Sequence, residues 1–302
     1  MILKGQNLRI YTVEGGDATV VGMATNCTIN LNTSTDDASH KDIVGMAAMP
    51  TVTSKSWSVS VDSLSVSDVA AILTAIKGLH LFTLMWDEAS TTDNQSTEQA
   101  AFARTGFAYL SDVTFSWNDR ENSTKSLTFT GVGPVNNITT GQFDDNPIAV
   151  GNYTKGQFVR LFLGSDNTTT PAKVIAGAKS LSFHVSMTLE SSSTKDLTGD
   201  WEYQEPTALN FDISTSALVR SDDTITSSVE GQELADLEEI YSDSSPVKFQ
   251  IATVNGDNNR TKQSILVSGS VILASLTVNG PNRANADYTA SLNGYGPYTV
   301  SS

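Results

Sequence analysis

Three histidines, one cysteine and a few adjacent acids are the side chains here with chemistry to offer. His40, His80 and His184 lie far apart and show none of the His-x-x-x-His type spacing that brings two imidazoles onto one metal. His80 follows the end of an apolar-striped segment, where a cation suits a helix C-terminus, and His184 alternates with serines. Cys27 shares an alternating run with Ile29 and Leu31, the setting of a small core residue rather than of an activated thiolate. Asp36-Asp37, Asp144-Asp145 and Asp222-Asp223 lack the Asp-x-Asp-x-Asp-Gly order of a calcium loop and are expected as solvated loop charges. The expectation is a protein that is not an enzyme, with no catalytic residue, no metal and no cofactor.

One further pattern could hold phosphate. SLTFTGVGPV and TASLNGYGPY both end an alternating run in Gly-x-Gly-Pro, at Gly131, Gly133, Pro134 and at Gly294, Gly296, Pro297. A nucleotide loop needs a helix N-terminus after its glycines. Here turn-forming VNNITTGQFDDNP follows one motif and five residues follow the other, so glycine and proline closing a strand is the better reading.

The recurrence of this motif 163 positions later belongs to a longer correspondence. KGQNLRIY (4–11) returns as KGQFVRLF (155–162), SWSVSVDSL (56–64) as NFDISTSAL (210–218), and GFAYLSDVTF (106–115) as GSVILASLTV (269–278). Lys41-Asp42 answers to Lys195-Asp196, and Arg120 and Asn122 to Arg283 and Asn285. The matches are collinear, with the offset growing as loops lengthen. The chain therefore reads as two copies of one domain, 1–136 and 152–302, joined by a linker over 137–151. A length of 302 residues suits two domains, each large enough for its own core.

The elements that would position any site are mostly strands. NCTINLN, SKSWSVSVD and SLSFHVSM alternate polar and apolar residues with the period of half-buried antiparallel strands. Trp57, Val59 and Val61 oppose Ser56, Ser58, Ser60 and Asp62, and Leu181, Phe183, Val185 and Met187 oppose Ser182, His184 and Ser186. One helix interrupts each copy. SDVAAILTAIKG has Ser67 as N-cap, Asp68 in its first turn, a Val69/Ile72/Leu73/Ile76 stripe and Lys77-Gly78 at its end. GQELADLEEIYSD puts Leu234, Leu237, Ile240 and Tyr241 on one face. The predicted fold class is mainly β: two tandem β-sandwiches or flattened barrels, each with one helix at its side.

Charge narrows the partners. Residues 1–150 hold 8 Lys+Arg against 16 Asp+Glu, and 151–302 hold 10 against 17, so the excess of acid is shared evenly within a net −15. Such a surface does not attract DNA phosphates or anionic membranes. One cysteine excludes an internal disulfide framework, and neither a signal peptide nor an apolar run of membrane-spanning length is evident, so a cytosolic origin and no membrane partner are expected.

A polar strand face beside a long loop, KSWSVSVDSL followed by a helix, and SLTFTGVGPV closing the domain resemble the bacteriophage major tail tube protein family. The resemblance covers nearly the whole chain, once per copy, by pattern and order. It implies a β-sandwich related to the type VI secretion tube protein. It also implies rings of six domains whose inner sheets join in one barrel, and stacked rings that conduct DNA. Two domains in one chain make three chains per pseudo-hexameric ring the natural count. The implied partners are further copies of the chain, tape-measure and tail-end proteins, and DNA that passes unbound. The implied place is the virion tail, assembled in the host bacterial cytoplasm.

Within that reading, Thr28, Asn30, Ser56, Ser58, Ser60 and Asp62 of copy one face the lumen, with Ser182, His184, Ser186, Asn210, Asp212 and Ser214 of copy two. A wall of Ser, Thr, Asn and Asp with almost no basic residue would not brake DNA. Loops 32–55 and 189–208 are expected to be long and mobile. The apolar patch Ile43, Val44, Met46 and Met49 in the first suits ring stacking. The alternative is a two-domain sandwich serving as an adhesin or carbohydrate-binding decoration module, for which Trp86 and Trp201 near loops would be the aromatic contacts.

Overall fold

A computed structural model describes residues 8–14, 17–21, 24–39, 48–64, 69–88, 104–137, 155–194, 196, 199–220, 224–226, 229–255 and 261–301. Among these residues, seventeen strands and two α-helices follow in order. The first half runs β1 (Leu8–Glu14), β2 (Asp17–Val20), β3 (Ala24–Asp37), β4 (Pro50–Leu64), α1 (Val69–Lys77), β5 (Leu81–Glu88), β6 (Arg104–Asn118) and β7 (Thr124–Asn137). The second half opens with β8 (Val159–Leu163), β9 (Lys173–Ile175), β10 (Ala178–Ser191), β11 (Gln204–Leu218), β12 (Thr224–Thr226) and β13 (Val229–Gln232). It continues through α2 (Leu234–Asp243), β14 (Val247–Val254), β15 (Lys262–Asn279), β16 (Asp287–Gly294) and β17 (Thr299–Val300). The fold is mainly β. No helix among the described residues is long and apolar enough to cross a membrane.

Eight strands make one broad antiparallel sheet in the order β3-β4-β7-β6-β10-β11-β16-β15. Two strands of this sheet are long enough to serve twice. Arg104–Tyr109 of β6 pairs with β5 and, through it, β1, and Lys262–Val271 of β15 pairs with β14 and then β8. A ladder shift at Leu110/Asp112 in β6 and at Leu273/Ser275 in β15 marks where each strand changes duty.

The period-2 alternation gives the broad sheet one predominantly apolar side. Trp57, Val59, Val61, Phe115, Phe129, Phe183, Phe211, Ile213 and Leu292 are all buried there. They join Leu84 and Trp86 of β5, Leu161 of β8, Phe249 of β14, Leu73 and Ile76 of α1 and Leu237 of α2 in one contiguous core. Trp57 donates its Nε1–H to the Gly133 carbonyl at 3.0 Å, and its ring lies flat over Gly106 and Gly131, where any Cβ would collide with it.

Strand registers in the two halves coincide under fixed shifts. Asn30 pairs with Ser58 as His184 pairs with Asp212, and the ladder irregularities at Ala24/Asn26 and Ser34/Thr35 recur 154 positions on at Ala178/Ser180 and Thr188/Leu189. Ser58 opposite Thr130 corresponds to Asp212 opposite Asn293. Left-handed backbone recurs at Arg120 and Arg283 (φ 61° and 66°) and at Gly133 and Gly296 (71° and 75°).

Several expectations need correction. The ladder of β3 and β4 runs out to Asp37 opposite Pro50, and that of β10 and β11 to Ser191 opposite Gln204. The loops expected over 32–55 and 189–208 are therefore hairpin strand at 32–37 and 50–55, and at 189–191 and 204–208. Their Ser, Thr and Asp side chains are polar, but the backbone groups still pair, and polar residues on both faces erase the alternation that marks a strand. Trp86 is 2% exposed and packs on Trp57 at 5.6 Å, so it presents no ring to a glycan. Tyr241 is exposed, whereas Leu237 and Ile240 are buried as expected. His80 stacks edge-on against Phe82 at 4.6 Å. The N-cap residue Ser67, the first-turn Asp68 and residues 138–151 of the linker lie outside the described residues.

Candidate polar sheet face and open sheet edges

The opposite side of the broad sheet carries the polar partners of the core residues. Thr28 pairs with Ser60, Asn30 with Ser58, and Asn32 with Ser56 on β3 and β4. Ser182 pairs with Ser214, His184 with Asp212, and Ser186 with Asn210 on β10 and β11. Directly opposed residues share a face, so these two groups of candidate residues lie on the same side of the sheet within each half. The strands between them complete the rows. One row crosses six strands as Thr124, Ser116, Ser182, Ser214, Ser291 and Ser275. The row through Asp62 passes Ser126, Thr114, His184 and Asp212 to Asn293, with no Lys or Arg on it. Asp62 itself accepts from Ser126 Oγ at 2.8 Å. The contributions of β6, β7 and β16 were absent from the sequence reading, although DVTFSWN and KSLTFT carry the same alternation.

At the centre of this face His184 lies between two carboxylates. Its Nε2 is 2.7 Å from Asp112 Oδ2 on β6, and its Nδ1 is 2.7 Å from Asp212 Oδ1 on β11. Carboxylates only accept, so two such contacts require both ring nitrogens to donate, which only the imidazolium does. Partial burial pulls its pKa down, but the two hydrogen bonds and the charges of Asp112 and Asp212 outweigh that and raise it above the ordinary histidine value. Sequence reading found His184 and Asp212 but not Asp112, which lies 72 residues away from His184 on a strand of the other half.

Asp112 and His184 straddle the seam where the halves meet. There Asp112–Asn118 of β6 pairs with Ser180–Ser186 of β10. The apolar side of that seam is closed: Val113, Phe115, Phe183 and Val185 are each 0% exposed. Helix α1 crosses the same boundary, where the Tyr298 hydroxyl donates to the Leu73 carbonyl at 3.1 Å and Lys77 Nζ to the Tyr298 carbonyl at 3.0 Å.

The outer margins of the sheet differ sharply. Shifted by 163 and 154 positions, the two seam strands correspond to Ser275–Asn279 of β15 and to the stretch of β3 around Ile29. Among the described residues, neither segment has a ladder on its outward side. Leu31, at the position matching Val185, is 64% exposed, and Val278 is 48% exposed. Cys27 and Ile29 are half-buried on the same margin, with the Cys27 thiol pushed up in pKa by partial burial. Of the four residues expected to stack rings, Ile43, Val44 and Met46 lie outside the described residues, and Met49 is half-exposed beside β4.

No protein-family model and no curated protein matches this chain. Among solved structures, matches of low identity are found. The chain is similar to the tail of an empty gene transfer agent particle refined with C6 symmetry, at 17% identity over 48% of this chain and 95% of that one, with a TM-score of 0.36. It is similar to a chain of the native gene transfer agent virion at 16% identity, over 49% of this chain and 99% of that one, with a TM-score of 0.37. It is also similar to the SPP1 tail tube at 16% identity, over 48% of this chain and 82% of that one, with a TM-score of 0.36. Each aligns with about half of this chain.

Proposed function

We propose that this chain is a major tail tube subunit in which two copies of one tube domain, 1–136 and 152–302, are joined in tandem. Three chains close a pseudo-hexameric ring, and rings stack into a conduit for DNA. The observation that carries this reading is the pair of open margins, which match the two sides of the internal seam strand for strand. Carrying the internal register over by the same shifts places Leu276 of one chain opposite Leu31 of the next, and Val278 opposite Ile29. An exposed apolar edge is a template for pairing. A head-to-tail contact of this kind forms a closed ring when its rotation divides the circle.

In such a ring the broad sheets join into one barrel, and the polar rows line its lumen. Hydroxyls, amides and carboxylates hold water and offer no Lys or Arg to DNA phosphates, and the one imidazolium, His184, is held between Asp112 and Asp212, so passage is not braked. The chain would act in the virion tail after assembly in the bacterial cytoplasm, against tape-measure and tail-end proteins, with Ile43, Val44 and Met46 contributing to ring stacking. Native mass spectrometry, with negative-stain microscopy at high concentration, tests the proposal. Three chains per ring, and tubes of stacked rings, are expected. Six chains per ring would refute the tandem arrangement, and a persistent monomer that binds glycans would favour an adhesin instead.

A further inference from the structure

Within the chain, the β10–β11 hairpin tip folds back over the first half. Lys55 N–H donates to the Asp200 carbonyl at 2.6 Å, Glu202 N–H to the Lys55 carbonyl at 2.9 Å, and Gly133 N–H to the Glu202 carbonyl at 2.8 Å. Ser54 Oγ donates to Glu202 Oε1 at 2.8 Å. The Tyr203 ring lies over Gly133 so closely that a Cβ there would stand 3.0 Å from it. Gly133 is thus a seat: its left-handed φ of 71° and its missing side chain let the tyrosine approach.

The β3–β4 hairpin tip is built the same way. Ala38 N–H donates to the Met49 carbonyl at 2.9 Å, as Ser192 N–H does to the Tyr203 carbonyl at 2.9 Å. Met49 N–H donates to Ser39 Oγ at 3.2 Å, as Tyr203 N–H does to Ser193 Oγ at 3.0 Å. Met49 therefore holds the place of Tyr203, and Ala48 that of Glu202, yet Met49 is 50% exposed. The matching seat also exists. Gly296 has a φ of 75°, and a Cβ on it would have no heavy atom within 4 Å. It borders a cleft of about 640 Å³ with Leu209, Phe211, Gly294, Pro297 and Tyr298. Leu209 stands where Lys55 stands in the other half, opposite Met187 as Lys55 is opposite Thr33.

We propose that Ala48 and Met49 of one chain seat in this cleft on the second half of the next chain. The inference rests on the head-to-tail ring of the preceding section and adds a lateral contact beyond its paired sheet edges. Gly296 N–H donates to the Ala48 carbonyl, Ala48 N–H donates to the Leu209 carbonyl, and the Met49 side chain covers Gly296 between Phe211 and Tyr298. An unbranched thioether suits a cleft walled by aromatic rings, because it adapts to irregular space and favours contact with ring edges. The hairpin tip then clasps its neighbour sideways, so that only residues beyond Ala48 are left to reach an adjacent ring.

The test places a photoreactive side chain at the seat. Met49→p-benzoylphenylalanine is prepared in nitrogen-15-labelled and unlabelled chains, which are mixed, allowed to form rings and irradiated. Adducts joining labelled to unlabelled peptides at 209–211 or 293–298 are expected. Intact rings whose adducts fall elsewhere, on a stacked ring for example, overturn the seat and leave the ring standing. Chains that stay monomeric at every concentration overturn the ring and the seat together. As a second measure, Met49→Asp should weaken ring formation at least tenfold with the monomer's Tm unchanged, and unaltered assembly would overturn the seat.

Discussion

Replacing Leu31 by aspartate should abolish ring closure at concentrations where the parent chain assembles. Leu31 is 64% exposed on the outer margin of β3, whereas Val185, at the matching place in the internal seam, is fully buried. Burying a leucine completely is worth roughly 1.5–3 kcal/mol, so about 1–2 kcal/mol is still to be gained at this site on pairing. A carboxylate there forfeits that gain and adds about 1–3 kcal/mol for a polar group left without a partner. The loss is then about 3 kcal/mol per seam and about 9 kcal/mol over three seams, which is about a millionfold in the association constant of a trimer. Because that constant scales with the square of concentration, the midpoint should rise about a thousandfold. Sedimentation velocity across a dilution series reads the midpoint directly. Thermal melting of the monomer should hold to within a degree or so, since the side chain is largely in water before assembly. A midpoint that moves less than threefold would show that this margin is not buried between chains.

Other perturbations probe the core, the central histidine and the sheet face. Gly131→Ala should destabilise the chain by roughly 1–3 kcal/mol, because the added methyl meets the Trp57 ring held by its bond to Gly133; a denaturant midpoint equal to the parent's would contradict this packing. The raised pKa of His184 sets the sign of a pH effect: its stabilisation is complete below about pH 6.5, the unfolded value, and is lost as pH rises through the higher folded value. The parent should therefore exceed His184→Gln in Tm most at low pH, with the gap closing on alkalinisation, and a gap that is constant between pH 5 and 9 would refute the assignment. Ser58→Lys with Ser60→Lys adds roughly six charges per ring of three chains and should slow DNA ejection in a way that salt relieves; unchanged ejection kinetics from intact virions would place these side chains away from DNA.

Alternation alone specified much of this molecule. Trp57, Val59 and Val61 opposite Ser56, Ser58 and Ser60 follow from the period of a strand, and a strand with one apolar face must bury it. The helices over Val69–Lys77 and Leu234–Asp243 were legible for a similar reason, in a period of 3.6. Alternation failed where it was absent. Thr33–Asp37 and Pro50–Ser54 form a ladder through backbone groups that carry no hydrophobic signature. It also left Trp86 beside a loop, whereas its ring belongs to the core next to Trp57.

Which residues touch across long separations was decided only by the tertiary structure. Local sequence says that β6 and β10 each have a polar and an apolar face, but not that they pair with each other. A strand edge is a row of identical amide and carbonyl groups, so the choice of neighbour depends on register, bulges and the core beneath. That choice brings Asp112 to His184, closes Val113 and Phe115 under the internal seam, and leaves Leu31 and Val278 open at the margins. Side-chain period is a local property of the chain, whereas the pairing of edges is a property of the folded sheet.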